Sequence, residues 1–458
     1  MKRALLPLSL MLAVAFVVTA TIRDARQTAA ATPTPPASRP APLTGTSRAD
    51  LTRTVEEMTA RITAAPEDGV AVVRLADTLI RLQRVNNDGR AVITAEQHLR
   101  AFLKKQPAHY EAQRMLAVVL LSQHRFGEAI AQANRTIALE PRDASNYGAL
   151  GDGYLELGDY PRAFAAYDRM GQLQPGPPAY ARTSHALELQ GDLAGAVEYM
   201  RRAAEGAWSN DPESQAWHYS QLGELLLQQG RLGDAKREFE RASATFQNHP
   251  LAMTGLAKVK VAEGDLTGAR LIYQAQLARV PTPDLAAIVG DLSHVLGDAT
   301  GAEQYYRMSE QIERAGWGNG VAQPQALAQF FAERERNLSE AVTLAETALT
   351  SRNDIFTMDT LAWAYFRVGR LDDARKASAQ ARRTGSKDAR ILYHASEILA
   401  AAGEHGEALR VLSGIPAPEV IGDVLVAGAA RRLRARLAMT TDAAPNAPAA
   451  PSAVTRKS

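Results

Sequence analysis

Nine histidines are the residues of this 458-residue sequence best suited to ligate a metal or move a proton, and they are scattered singly. None stands in an H-E-x-x-H pattern, and His109 and His124 lie too far apart on helical segments to share an ion without help from tertiary structure. A site needs several convergent groups, so a lone histidine reads as a surface residue or a satisfied core residue. Carboxylates are plentiful, and solvated helix faces account for them. There is no G-x-S-x-G elbow and no P-loop. Gly151-Asp152-Gly153 has the look of a nucleotide loop, but it lies inside an apolar helical pattern, where packing explains it. The absence of cysteine excludes disulfides, thiolate catalysis, Cys-ligated zinc and lipidation through a thiol. The expectation is a protein that is not an enzyme, with no catalytic residue, no cofactor and no metal. The rival reading is an enzyme or carrier with a site in the irregular loops around Trp317, whose indole in a glycine-rich turn would stack on a sugar or a peptide.

The elements that would position such residues are helices in pairs. In 144–177, Tyr147 to Leu157 and Pro161 to Leu173 are amphipathic segments separated by Gly158-Asp159-Tyr160 and closed by Pro175. Gly151 and Ala163 are small where two helices must touch, and Leu150, Tyr154 and Tyr167 stand a turn away to fill the space around them. Pro141 and Pro107 precede Pro175 at steps of 34 residues, each closing an apolar helix. A fixed period of this size marks a solenoid of stacked supersecondary units. Aromatics are 6% of the chain and alanine is abundant, which suits closely packed helices. Lys+Arg 52 against Asp+Glu 50 gives no electrostatic footprint for nucleic acid.

At Tyr147, Leu150, Gly151, Tyr154, Ala163, Tyr167 and Pro175 the chain resembles the tetratricopeptide repeat (TPR) family, departing from its pattern only at Met170. The same pattern returns at Leu222, Gly223, Ala235 and Phe239. The resemblance implies an all-α fold, a right-handed α-solenoid of about ten helix-turn-helix TPR units with capping helices. Residues 66–310 are expected as one solenoid block and 322–414 as a second. Between them, 311–321 would be a glycine-rich break, since Gly316-Trp317-Gly318-Asn319-Gly320 is too rich in glycine to be helical. A cap helix is expected at 47–65 and another within 415–440, carried by Val420, Val424, Leu425, Leu433 and Leu437.

The ends carry other signals. Residues 1–20 open with Lys2 and Arg3 before an apolar run, which reads as a secretory signal peptide or, as the rival, an uncleaved anchor to the inner membrane. Either puts the body outside the cytoplasm, periplasmic or secreted. Residues 21–46 and 441–458, rich in Ala, Pro and Thr, are expected to be a disordered linker and tail.

In the family the first helix of each unit lines a concave groove that takes a peptide or a partner helix. Carried over, those positions are Arg114, Val118 and Leu121 in the second unit and Asp152 and Leu155 in the third. They are Trp217, Ser220, Glu224 and Leu227 in the fifth, and Phe356, Asp359, Trp363, Phe366, Arg367, Tyr393 and Glu397 in the last two. Trp363, Phe366 and Tyr393 with Arg367 beside them make the strongest candidate hot spot. The alternative is that Trp363 seals the junction between units. The clamp that holds chaperone C-termini is missing, because Arg114 is followed by Val118 and the third unit offers Gly148 and Asp152. The reading is an interaction scaffold or assembly factor of a bacterial envelope that binds a protein or peptide. It takes no nucleic acid and touches the membrane only through an uncleaved first segment.

Overall fold

A computed structural model describes residues 47–86, 89–207, 211–318, 323–417 and 421–442, and contacts place all of these in one unit. The expected signal or anchor, the linker, and the tail beyond Asp442 lie outside the described residues.

Among the described residues there are helices and no strands. After α1 (Arg48–Ala64) come ten pairs. The first four are α2 (Gly69–Asn86) with α3 (Arg90–Lys105), α4 (Tyr110–Ser122) with α5 (Phe126–Leu139), α6 (Ala144–Glu156) with α7 (Tyr160–Leu173), and α8 (Pro177–Leu189) with α9 (Leu193–Gly206). The next three are α10 (Pro212–Gln228) with α11 (Leu232–Thr245), α12 (Pro250–Ala262) with α13 (Leu266–Arg279), and α14 (Pro283–Val295) with α15 (Ala299–Gly318). The last three are α16 (Pro324–Glu333) with α17 (Leu338–Ala348), α18 (Ile355–Arg367) with α19 (Leu371–Ala381), and α20 (Ala389–Ala401) with α21 (His405–Leu412). The closing helix is α22 (Val424–Asp442). The architecture is an all-α repeat solenoid.

Local chemistry starts and stops these helices. Asp143, Asp159, Asp192, Asp265 and Asp354 accept backbone N–H groups as N-caps, and Pro212, Pro250 and Pro283 occupy first-turn positions where no N–H is needed. From the second pair on, the turn inside each pair carries a left-handed residue. Glycine supplies it at Gly158, Gly191, Gly230, Gly264, Gly297, Gly369 and Gly403, whereas His124 takes it in the second pair and Glu335 with Asn337 in the eighth.

Small residues set the packing. A Cβ on Gly151 would lie 2.4 Å from the Tyr167 ring and 3.1 Å from the Ala163 carbonyl oxygen. The Phe239 ring is wedged between two first helices, 2.6 Å from a Cβ placed on Gly223 and 2.1 Å from one on Gly255. Ala235 beside it and Leu222 opposite are buried. Met170, where the repeat pattern has alanine, is accommodated because Gly148 faces its sulfur. Leu150 and Tyr154 are partly buried, and Pro175 stands exposed just beyond α7.

Two expectations need correction. The glycines at 316 and 318 do not end the helix, since α15 runs on to Gly318, while residues 319–322, with the rest of the expected break, lie outside the described residues. Each glycine costs only about 1 kcal/mol in a helix, and Arg314 anchors the last stretch of α15. It pairs with Glu310 (2.8 Å) and Glu340 (2.9 Å) and lies over the Phe331 ring. The core continues into the next pair through Ala287, Leu327 and Phe331. The closing helix begins at Val424 because Asp423 caps it, accepting from the Leu425 and Val426 amides, and it continues to Asp442. Residues 418–420, with Val420, lie outside the described residues.

Candidate functional site

The first helices carry a ladder of polar rungs that tie each to a neighbour. Asp152 on α6 accepts from the Tyr167 hydroxyl (3.0 Å) and is gripped by Arg182 of α8 at 2.6 and 2.9 Å. Four pairs later the arrangement returns. Asp291 on α14 accepts from the Tyr306 hydroxyl (3.0 Å) and is gripped by Arg334, just past α16, at 2.5 and 2.9 Å. Between and beyond them Gln228 donates to Glu188 (2.9 Å), Lys258 to Glu224 (2.7 Å) and Arg390 to Glu333 (3.3 Å), and His394 shares a 2.9 Å bond with Asp359. The groove's charge is thus spent largely on holding units in register, adjacent ones in every rung but Arg390 with Glu333, which joins the tenth pair to the eighth.

Burial shapes these groups unevenly. It raises the Asp291 carboxyl above its ordinary range although Arg334 and its hydrogen bond pull the other way. On Arg334 the same burial is overcome by Asp291 and Glu333, so the guanidinium is held protonated. Burial would lower His185, but its hydrogen bond to Glu188 and the charges of Glu188, Glu156 and Asp152 leave it raised. Asp284, which is open to solvent inside a protein-walled space, is raised by desolvation.

Distant units also touch. The Ile355 amide donates to the Tyr160 hydroxyl across 195 residues of chain, buried at 2.8 Å, and Glu156 pairs with Arg352 at 2.6 Å. Gly158 and Gly191 abut the backbone at Asn353 and Gly385 so closely that a Cβ would fall 2.0 and 2.4 Å from their carbonyl oxygens. At the start of the array Arg81 and Arg84 of α2 pair with Asp211 and Glu213, the latter at 2.6 Å, where Val85 and Leu51 join the core around Tyr219 and Phe246. Enclosed by the later first helices is a cavity of about 780 Å³. Leu227, Leu251, Lys258, Asp284, Ile288 and Arg390 are among the residues lining it.

The candidate residues from the sequence fall differently. Trp363 is 5% exposed, stacked on His394 at 4.0 Å and 10° and on Phe366 at 5.1 Å, so it is not a free anchor. The adjacent first helix α20 supplies the ring that covers it, and Trp363 therefore cements α18 to α20. Phe366 and Tyr393 are half-buried against it, and Arg367 lies 5.3 Å over its ring while pairing with Glu335. Phe356 packs on the cluster around Tyr160 and Ile391. Trp217 meets His218 edge-on at 5.1 Å, and neither it nor Trp363 lines the cavity. Arg114 pairs with Glu111 (2.6 Å) and reaches Asp143. Glu224 and Leu227 do line the cavity. The Trp317 side chain lies outside the described residues.

Arg182, Lys258, Asp291, Arg334 and Arg390 were not singled out by the sequence reading. The signal for two rungs is nonetheless there, a Gly-Asp pair followed by a tyrosine, as Gly151-Asp152 with Tyr167 and Gly290-Asp291 with Tyr306. Among the described residues no group of three or more His, Cys, Asp or Glu side chains is placed to hold a metal ion. No described helix is long and apolar enough to cross a membrane.

Two models of the tetratricopeptide repeat match this chain, one over residues 187–251 and 226–292, the other over 94–146, 119–178, 148–212 and 360–418. Together they span more than half of it. The chain is 38% identical over 69 residues to the Hsp70-Hsp90 organizing protein of Triticum aestivum, covering 15% of this chain and 12% of that protein. It is 39% identical over 82 residues to tetratricopeptide repeat protein 36 of Homo sapiens, covering 17% of this chain and 43% of that protein. The matches thus span less than half the length of either curated relative. A crystal structure of a tetratricopeptide repeat protein from Parabacteroides merdae is similar with a TM-score of 0.39 at 15% identity, covering 57% of this chain and 93% of that one.

Proposed function

The chain belongs to the tetratricopeptide repeat family, and on that premise we propose that it is a non-enzymatic scaffold that holds a protein segment in the space enclosed by its first helices. The observation that carries this is the cavity of about 780 Å³, a volume in the range of ligand sites. Its walls set aliphatic side chains such as Leu227, Leu251 and Ile288 beside Lys258 and Arg390, whose charges are paired with Glu224 and Glu333. Such a wall favours the backbone and apolar side chains of a polypeptide over a strongly charged ligand. The chaperone partnership in the wheat relative's name is not carried over, because Arg114 is paired within its own unit and the next first helix offers Gly148 and Asp152.

The test is site-specific crosslinking in cells, with a photoreactive residue at Leu251, which lines the cavity and is 40% exposed, and at Leu271, which is 61% exposed outside it. A discrete protein adduct from Leu251 alone is expected. No polypeptide adduct, or the same one from both positions, refutes the reading. We infer in addition that the scaffold works in a bacterial envelope, on the strength of Lys2, Arg3 and the apolar run behind them. Cell fractionation with N-terminal sequencing checks this, and an uncleaved cytosolic chain overturns it.

A further inference from the structure

The groove is already occupied by the chain itself. Between α21 and α22, Ile421-Gly422-Asp423 crosses the first helices of the fifth and sixth pairs at Leu227 and Lys258. A Cβ on Gly422 would come 2.8 Å from Lys258 Cβ, 3.1 Å from its Cγ and 3.2 Å from Leu227 Cδ2, so this seat admits a residue without a side chain. The obstacle is the root of the lysine stem, which cannot swing aside. On one side Ile421 packs against the cluster of Leu392, Leu412 and Leu433. On the other Asp423 places its carboxylate in the field of Lys258 and Arg390. Leu251, Thr254, Asp284 and Ile288 line the same cavity, so the segment forms part of its wall and leaves space beside it unfilled. Leu227 stands at a groove position by its place in the repeat, so the contact is made on the face that tetratricopeptide units offer to guests.

We propose that Ile421-Gly422-Asp423 is a built-in occupant of the groove, and that the partner is an extended protein segment with the same succession of aliphatic residue, glycine and carboxylate, which binds by displacing it. This deepens the scaffold reading and rests on it. The arrangement makes binding competitive. A tethered occupant acts at an effective concentration of the order of millimolar, so a guest in solution meets a groove whose free fraction is small, and its apparent affinity falls by that fraction.

The chain has no cysteine, so Lys258→Cys with Gly422→Cys introduces a single pair of thiols in the full-length protein. Their Cβ atoms start 2.8 Å apart, and a shift of under about 1 Å brings them to disulfide distance. Oxidised, the segment is locked in its seat; reduced, the added side chain loosens it. The probe is a fluorescent synthetic peptide of residues 417–426, followed by anisotropy, with a second peptide carrying leucine in place of the glycine. The reduced protein is expected to bind the first peptide at least about tenfold more tightly than the oxidised one, and neither form to bind the leucine peptide. Gly422→Leu alone is expected to behave like the reduced form. If that variant does not fold, the disulfide pair decides by itself, since both redox states lack the Lys258 cation equally and keep Arg390 for the carboxylate. Equal affinity in the two redox states, no binding in either, or equal binding of the leucine peptide overturns the proposal and leaves the segment a brace. If the Leu251 crosslink is then formed equally by the oxidised and reduced proteins, the scaffold reading survives and only the built-in occupant falls.

Discussion

Replacing Gly255 by alanine tests the packing rule on which every unit depends. The new methyl would lie 2.1, 2.3 and 2.4 Å from three atoms of the Phe239 ring, where ordinary contact begins near 3.4 Å. The ring cannot retreat, because Gly223 stands on its other side at 2.6 Å by the same measure. Overpacking of this kind costs up to about 3 kcal/mol, and alanine returns about 1 kcal/mol of helix propensity, so the net loss is about 2 kcal/mol. In a Phe239→Ala background, itself about 3–5 kcal/mol less stable, the obstacle is gone. There Gly255→Ala should stabilise by about 1 kcal/mol. The prediction is therefore a change of sign, with a coupling of about 3 kcal/mol between the two positions. Urea unfolding of the full chain by far-UV circular dichroism gives the four midpoints. Hydrogen exchange of α10 and α12 amides supplies a local readout, because repeat arrays can unfold in parts. The same sign in both backgrounds would refute the wedge, whatever its size.

Three further perturbations address the rungs and the closure. Arg334→Ala leaves Asp291 buried without its cation and should cost about 3–5 kcal/mol; the pair is nearly buried, at 9% and 5% exposure. Asp291→Asn in the same chain should recover part of that in urea unfolding. Tyr160→Phe strips the buried Ile355 amide of its acceptor, at about 1–3 kcal/mol, and the Ile355 amide should exchange faster than that of wild type while amides of α12 do not. Burial would raise the Glu213 carboxyl, but Arg84, His249 and Arg81 outweigh it and hold it at about 2 against an ordinary 4.5. A depressed carboxyl stabilises above its unfolded value and loses that as pH falls. About 3 kcal/mol should therefore be present above pH ~4.5 and lost by pH ~2, and Glu213→Gln should flatten this part of the pH–stability profile.

The repeat register was legible in the chain because its determinants are local. Gly151, Ala163 and Tyr167 fall within one period, and so do Gly223, Ala235 and Phe239, whose ring also needs Gly255 one period on. Glycine content misled at 316–318, since each glycine costs only about 1 kcal/mol in a helix and α15 is already tied down just before them where Arg314 bridges Glu310 and Glu340. The site is legible in part. Glu224 and Leu227 line the cavity, whereas Trp363 takes the second of its two readings, the seal between units, because the ring that covers it, His394, belongs to the next first helix.

Helical pairing and its period are written in residues a few turns apart, so the sequence alone determines that this protein is a solenoid of ten pairs with small residues at the contacts. The tertiary structure alone decides that Tyr160 meets Ile355, that Glu213 meets Arg84, and that Gly422 lies against Lys258. Those meetings depend on curvature, which is the sum of small rotations from one unit to the next. A slight change in each rotation leaves every local pattern intact and moves residues nearly two hundred positions apart out of reach.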